Sequence, residues 1–318
     1  MTRFCLCFAL AAASLGATGC ATRSALERAP AVSAAPHAAA PETLEIPLDI
    51  PFVLTDKNNL VVEAALDDGA TLRLMLHTAA SDVSLTEAAV RALPALRFAD
   101  AAEIESWGGP SDARYSPGHR LRLGGLVREK VTVWEVKDSG DGTDGKFGLD
   151  AFGDRVVVVD FDRGRLRVYD ALPAEAADYV ALTVERTNGD WYVEAGCVIG
   201  ETTYPHRFLL HSGYSGGVLL DDAFAAEIGA KDALPVVKDT FLTDSFGNKI
   251  AVRNTVLPAL TLGGARLSNV PAGFFPGNLG NQRISVIGGE AIKRFDLIFD
   301  LRHDRIYAKP RAATAKGL

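Results

Sequence analysis

The sequence is written twice. Val62-Glu63-Ala64 recurs as Val193-Glu194-Ala195. Leu74-Met75-Leu76-His77-Thr78-Ala79-Ala80-Ser81 recurs as Phe208-Leu209-Leu210-His211-Ser212-Gly213-Tyr214-Ser215. Leu121-Arg122-Leu123-Gly124-Gly125 returns as Leu260-Thr261-Leu262-Gly263-Gly264, Phe147-Gly148-Leu149-Asp150 as Ile287-Gly288-Gly289-Glu290, and Val157–Phe161 as Leu297–Leu301. The offsets are 131, 134, 139, 140 and 140, in one order throughout. Such a period is too long for a solenoid and marks a duplicated domain-sized unit. The chain is therefore expected to form two alike lobes, at 42–176 and 177–312, followed by a tail at 313–318.

Each copy reads as short β-strands. Leu60–Leu66 and Trp191–Ile199 are rich in β-branched and aromatic residues and follow the polar turns Lys57-Asn58-Asn59 and Asn188-Gly189-Asp190. Leu72–Leu76 leads into the loop at His77. Thr86 and Asp221 are good capping residues, and predict short helices over 86–93 and 221–228. Strands over 155–160 and 295–300 each pass through a charged turn to a last strand. The expected fold is mainly β and bilobal, with each lobe a small β-barrel-like unit carrying short helices.

The N-terminus reads as an address. Arg3 precedes an apolar run from Phe4 to Ala13, too short to span a bilayer, as in a secretory signal at 1–19. Leu15-Gly16-Ala17-Thr18-Gly19-Cys20 resembles a bacterial lipoprotein cleavage site, with Cys20 as the lipidated residue; a plain signal peptide cleaved nearby is the alternative. Ala21 after Cys20 resembles lipoproteins sent to the outer membrane, so the expected place is the cell envelope, facing the periplasm. Residues 20–41 are rich in Ala, Pro and Ser and read as a tether, with His37 inert within it. Cleavage there removes Cys5 and Cys7 and lipidates Cys20, so Cys197 is left alone in an apolar strand as a small buried hydrophobe.

A net charge of −7 and the lack of a basic block argue against a nucleic-acid partner. The two loops carry a more specific signal. Two apolar residues, a loop of the Asp-Thr-Gly type with Ser, and a later apolar-apolar-Gly stretch resemble the pepsin and retropepsin aspartic proteases, most closely a bacterial retropepsin-like unit fused in tandem. The resemblance spans roughly 42–312. It implies a bilobal acid-protease fold with a central cleft, where the two loops meet on a pseudo-twofold axis. It also implies that Thr78 and Ser212 hold the positions of the hydroxyls that lock the loops together. Trp107-Gly108-Gly109 and Ser245–Asn248 fall where the family has flap hairpins; simple hairpin turns are the alternative.

The sequence departs from that family at the chemistry. His77 and His211 stand at both catalytic Asp positions, and Ala79 replaces the first loop's Gly. Two close carboxylates share a proton because both cannot ionise together; two imidazoles cannot reproduce this. No relocated pair emerges, since Asp239-Thr240 and Asp244-Ser245 lack the following Gly and Asp82 has Gly216 opposite it. Three readings stand. The first is a pseudoprotease whose cleft binds a peptide or protein segment. The second is a pair of metal ligands, for Zn or another transition metal, with Asp82, Asp112, His119 or Asp244 as third ligand, or else a His-based acid–base couple. The third is a peptidase in which His positions water. His206 and His303 are expected to be solvated surface residues.

Overall fold

The computed structural model describes residues 47–67, 69, 71–98, 101–106, 109–276 and 283–311. The signal, Cys20 and tether expectations, the tail, and Trp107 and Gly108 lie outside the described residues. Among the described residues no helix is long and apolar enough to cross a membrane.

The first copy runs β1 (Leu48–Leu54), β2 (Leu60–Leu66), β3 (Thr71–Leu76), β4 (Val83–Thr86), α1 (Glu87–Ala92), β5 (Ala101–Ser106), β6 (Gly109–Leu123), β7 (Leu126–Val136), β8 (Gly145–Phe147), β9 (Val156–Asp160) and β10 (Arg165–Tyr169). The second runs β11 (Val180–Ala181), β12 (Val184–Thr187), β13 (Asp190–Ile199), β14 (Thr202–His211), β15 (Val218–Leu220), α2 (Asp222–Glu227), α3 (Ala230–Ala233), β16 (Val236–Thr243), β17 (Lys249–Leu262) and β18 (Ala265–Phe274). It ends with β19 (Ser285–Gly288), α4 (Gly289–Ile292), β20 (Phe295–Asp300) and β21 (Arg305–Pro310).

The local signals in the sequence act as expected. Asn188 (φ 54°) and Gly189 (φ 90°) form the two-residue turn between β12 and β13, where both central residues need positive φ. The Thr86 side chain accepts from the Ala89 N–H and that of Asp221 from the Phe224 N–H, capping α1 and α2.

The duplication is visible in the pairing. In the first copy β3 runs parallel to β8, β8 antiparallel to β4, and β4 parallel to β7. In the second, β14, β19, β15 and β18 repeat that order with the same directions. The architecture is mainly β and bilobal, built on two sheets of 13 and 8 strands.

The expectation of barrel-like lobes is corrected. Neither sheet is a closed barrel. The larger keeps β11 and β5 as end strands, and the smaller β12 and β16. The extra β2–β6 pairing holds only Ala65↔Arg122 and Leu66↔Leu121. The larger sheet also fails to stop at the lobe boundary, because β20 of the second copy pairs with β9 of the first. Strands β1, β10, β9, β20, β21 and β11 thus form a continuous antiparallel run to which both copies contribute. Local patterning hides this, because both faces of β9 are buried and its sequence reads Val-Val-Val-Val-Asp without alternation.

The core follows from these pairings. Leu74, Leu76, Phe147 and Phe152 of the first copy and Phe208, Leu210, Ile287 and Phe299 of the second share one buried cluster. Trp191 packs edge-on against Phe299.

Candidate functional site

Strands β3 and β14 end side by side in the two repeated loops, which meet. His77 and His211 are 7% and 8% exposed, and their rings pack edge to face with centroids 4.5 Å apart. The loops are fastened by four hydrogen bonds. The Thr78 N–H donates to the Ser212 hydroxyl (3.0 Å) and the Ser212 N–H to the Thr78 hydroxyl (3.1 Å). The Thr78 Oγ1 donates to the Leu210 carbonyl (2.6 Å) and the Ser212 Oγ to the Leu76 carbonyl (2.7 Å). Each hydroxyl spends its one proton on a carbonyl and accepts from an amide, so every partner is satisfied in a buried place.

Side chains from the turn before β2 add a second fastening. Asn59 Nδ2 donates to the Ser212 carbonyl (3.1 Å) and Asn58 Nδ2 to the Ser215 carbonyl (2.8 Å). Sequence reading took Asn58-Asn59 only as a turn, since nothing local marks a side chain that acts across lobes.

The pair is not symmetric. A Cβ on Gly213 would lie 2.2 Å from Cδ2 of His77, so the first ring occupies the space above the second loop's glycine. The first loop carries the methyl of Ala79 at the matching position and offers His211 no such vacancy. The His211 Nδ1 instead accepts the Tyr214 N–H at 3.0 Å. The His77 Nδ1 is buried without a hydrogen-bond partner.

The electrostatics follow from this burial. Desolvation, then the neighbouring His211 and the charge of Lys146, hold the His77 pKa well below the usual histidine value. Desolvation and Lys146 bring His211 down to about 4. Both rings are therefore neutral at pH 7, and His211, accepting at Nδ1, carries its proton on Nε2. A general base works best with a pKa near the operating pH, so imidazoles lowered this far are weak bases.

Neutral imidazoles suit a borderline metal, but a firm site wants three protein ligands. Among the described residues no group of three or more His, Cys, Asp or Glu converges. Of the candidate third ligands, the Asp82 Oδ1 accepts the Thr132 N–H, and His119 sits between Asp67 and Ser116. Asp112 lies on β6 opposite Glu103. Asp244 caps its own turn, accepting from Asn248 and Phe246 N–H groups and from the Ser106 hydroxyl.

A cleft of about 770 Å³ opens over the pair, and both loops line it. The turn at Asp244–Asn248, between β16 and β17, reaches it from the second lobe. The Ser245 carbonyl accepts the N–H groups of Lys137 and Asp138 from the first lobe. This turn is a bridge between lobes rather than a free hairpin tip.

Sequence reading missed Lys146. It stands in β8, half-buried, with its ammonium donating to the Ser245 hydroxyl at 2.7 Å, and burial lowers its pKa to about 8. The duplication carried the signal: Lys146 occupies the position of Val286 in the second copy.

The remaining singled-out residues lie elsewhere. His206 is half-buried rather than a solvated surface residue, stacking on Phe224 (3.8 Å, 4°) and bonding to Asp221. Its alternation on β14 was read correctly, but the helix α2 that covers it lies outside the strand's own pattern. His303 bonds to Asp300 in the turn before β21. Cys197 is free and buried, its pKa pushed by desolvation to about 12, which makes it unreactive.

The sequence model of a family described as "Aspartyl protease" matches residues 62–151, within the first copy. No curated protein matches the chain by sequence. Among solved structures, the aspartic proteinase from Irpex lacteus is similar with a TM-score of 0.57 at 12% identity, over 84% of this chain and 98% of that one. The fold is that of the pepsin-like aspartic proteases; at this identity the likeness speaks for the fold alone.

Proposed function

We propose that this protein is a non-proteolytic binding protein with an acid-protease-like fold, which holds a peptide or a protein segment in the cleft between its lobes. One observation carries the reading. Where the resembled proteases need two carboxylates sharing a proton, this chain has two buried imidazoles, edge to face, both neutral at pH 7. Such a pair can neither hold a shared acidic proton nor supply a strong base to water. The loop-locking bonds and the cleft are retained, so the frame that would present a bound segment persists without the chemistry that would cut it. The proposal extends to placement: Cys20 carries a lipid, and the folded body sits on a tether at the envelope of a bacterial cell, on the periplasmic face of the outer membrane.

Two measurements test this. The first incubates the protein with denatured casein and with pooled N-acetylated hexapeptides from pH 3 to pH 8. No cleavage is expected, and turnover lost in His77→Ala or His211→Ala would overturn the reading. The second measures equilibrium binding of the same pools. Saturable binding blocked by a bulky substitution in the cleft, such as Ser84→Trp, is expected. No binding by any pool would remove the peptide as ligand. For the placement, metabolic labelling with a fatty acid, present in the wild type and lost in Cys20→Ala, is the expected result.

A further inference from the structure

Resting on that reading of the cleft, we infer that Lys146 forms a subsite for a carboxylate of the bound ligand, on the first-lobe side of the histidine pair. The duplication supplies the argument. In the second copy, Val286 of β19 pairs with Leu209 and Leu219, an apolar trio that is buried. At the matching place in the first copy, Lys146 pairs with Met75 and Ser84, and all three line the cleft. One apolar position of the repeat has become a cation that faces the ligand space.

The ammonium has little to satisfy it. Its hydrogen bond goes to the neutral Ser245 hydroxyl. Among the described residues no carboxylate forms an ion pair with it, and the nearby Asp244 is engaged by its own turn and by Ser106. Asp244 attracts the ammonium without contacting it, and the ammonium's one hydrogen bond goes to a neutral hydroxyl, so a ligand carboxylate would supply the direct charged partner that this half-buried group lacks. Beside it, the His77 Nδ1 is buried and unpartnered, a second polar group without a mate at the same cleft. The class of anion follows from the charge count. A lysine is a point charge rather than a bidentate fork, and the cleft lining sets five carboxylates, Asp82, Glu103, Asp138, Asp190 and Asp244, against two lysines, Lys57 and Lys146. Each further negative charge on a ligand meets more repulsion from these carboxylates, so the site takes a singly charged carboxylate in preference to a phosphate. The carboxylate belongs either to an acidic side chain or to the end of a peptide.

The test observes the lysine directly in the full-length protein, with 13C-labelled lysines. The Cε resonance of Lys146 is the one lost in Lys146→Met. Four probes are titrated in the millimolar range: the N-methylamide of N-acetylglutamate (side-chain carboxylate), N-acetylleucine (terminal carboxylate), the N-methylamide of N-acetylglutamine (neutral), and inorganic phosphate. One of the carboxylate probes is expected to saturate and to raise the Lys146 titration midpoint, the glutamine compound to leave it unmoved, and phosphate to bind more weakly. Which of the two carboxylates acts identifies the source. In Lys146→Met and Lys146→Gln the affinity of that probe should fall about ten- to a hundredfold, the range of a charge-assisted hydrogen bond. No movement of Lys146 with either carboxylate, tighter binding of phosphate, or unchanged affinity in both variants overturns the subsite. The two proposals fail separately. Hexapeptide pools that bind wild type and Lys146→Met equally well sink the subsite alone. A carboxylate probe that binds Lys146 while no pool binds sinks the peptide reading alone.

Discussion

The amide of Thr78 donates to the hydroxyl of Ser212, and the amide of Ser212 returns the bond to the hydroxyl of Thr78. Residues 134 positions apart thus exchange the contact that two neighbouring strands would make, and each passes its own proton to a carbonyl of the opposite strand. Removing one hydroxyl leaves a buried amide and a buried carbonyl unpaired in the other lobe.

Thr78→Val keeps the shape and deletes the hydroxyl, so it should cost about 1–3 kcal/mol, the price of buried groups left without partners. Ser212→Ala should cost a similar amount. Because both serve one network, the double variant should lose less than the sum. Urea unfolding of the four proteins checks this; strict additivity would mean that the two hydroxyls act independently.

Gly213→Ala places a methyl on the ring of His77. The ring must move, and overpacking of this kind costs about 1–3 kcal/mol. Adding His77→Ala empties the space and should recover most of the loss. A Gly213→Ala protein as stable as wild type would show that the ring does not rest there.

Acid should weaken the protein through its histidine pair. Both folded-state pKa values lie below the ordinary 6.5, with His211 at about 4. In the unfolded chain these rings take up protons near pH 6.5, while in the folded protein they remain neutral. Stability is therefore full above about pH 6.5 and falls as the pH drops towards 4. The slope between pH 7 and pH 4.5 should be smaller in His211→Gln than in wild type. Equal slopes, measured by urea midpoints, would contradict the lowered value.

Asp221 ties three elements. It caps α2, accepts from the Ser285 hydroxyl at the start of β19, and bonds to His206. Burial alone would raise its pKa, but these hydrogen bonds outweigh it and hold the value at about 2. Asp221→Ala should destabilise by about 1–3 kcal/mol. His206→Ala should cost less, because it leaves the cap and the serine bond in place. The reverse ranking in thermal unfolding would refute this account.

Much of this was legible in the residues, and the reasons differ from place to place. The paired loops could be read because a duplication puts the same eight-residue pattern in both copies. The caps at Thr86 and Asp221 could be read because capping is local. Closed barrels were a misreading, since alternation within a strand says nothing about which distant strand lies at its edge. Asn58 and Asn59 look like turn residues whether or not they reach the other lobe. Lys146 was hidden differently: its strand has only three residues, too short for its polarity to register as a break in a pattern.

The strand β9, four valines and an aspartate, waits for its neighbour. Val159 pairs with Leu297, which lies 138 positions further along the chain. During synthesis the first copy can therefore emerge whole and still present a bare apolar edge, the kind of edge that recruits other chains. A further 138 residues must leave the ribosome before β20 can cover it. A protein cut short between the two copies would not be half of this molecule in miniature, but an unfinished sheet prone to aggregate.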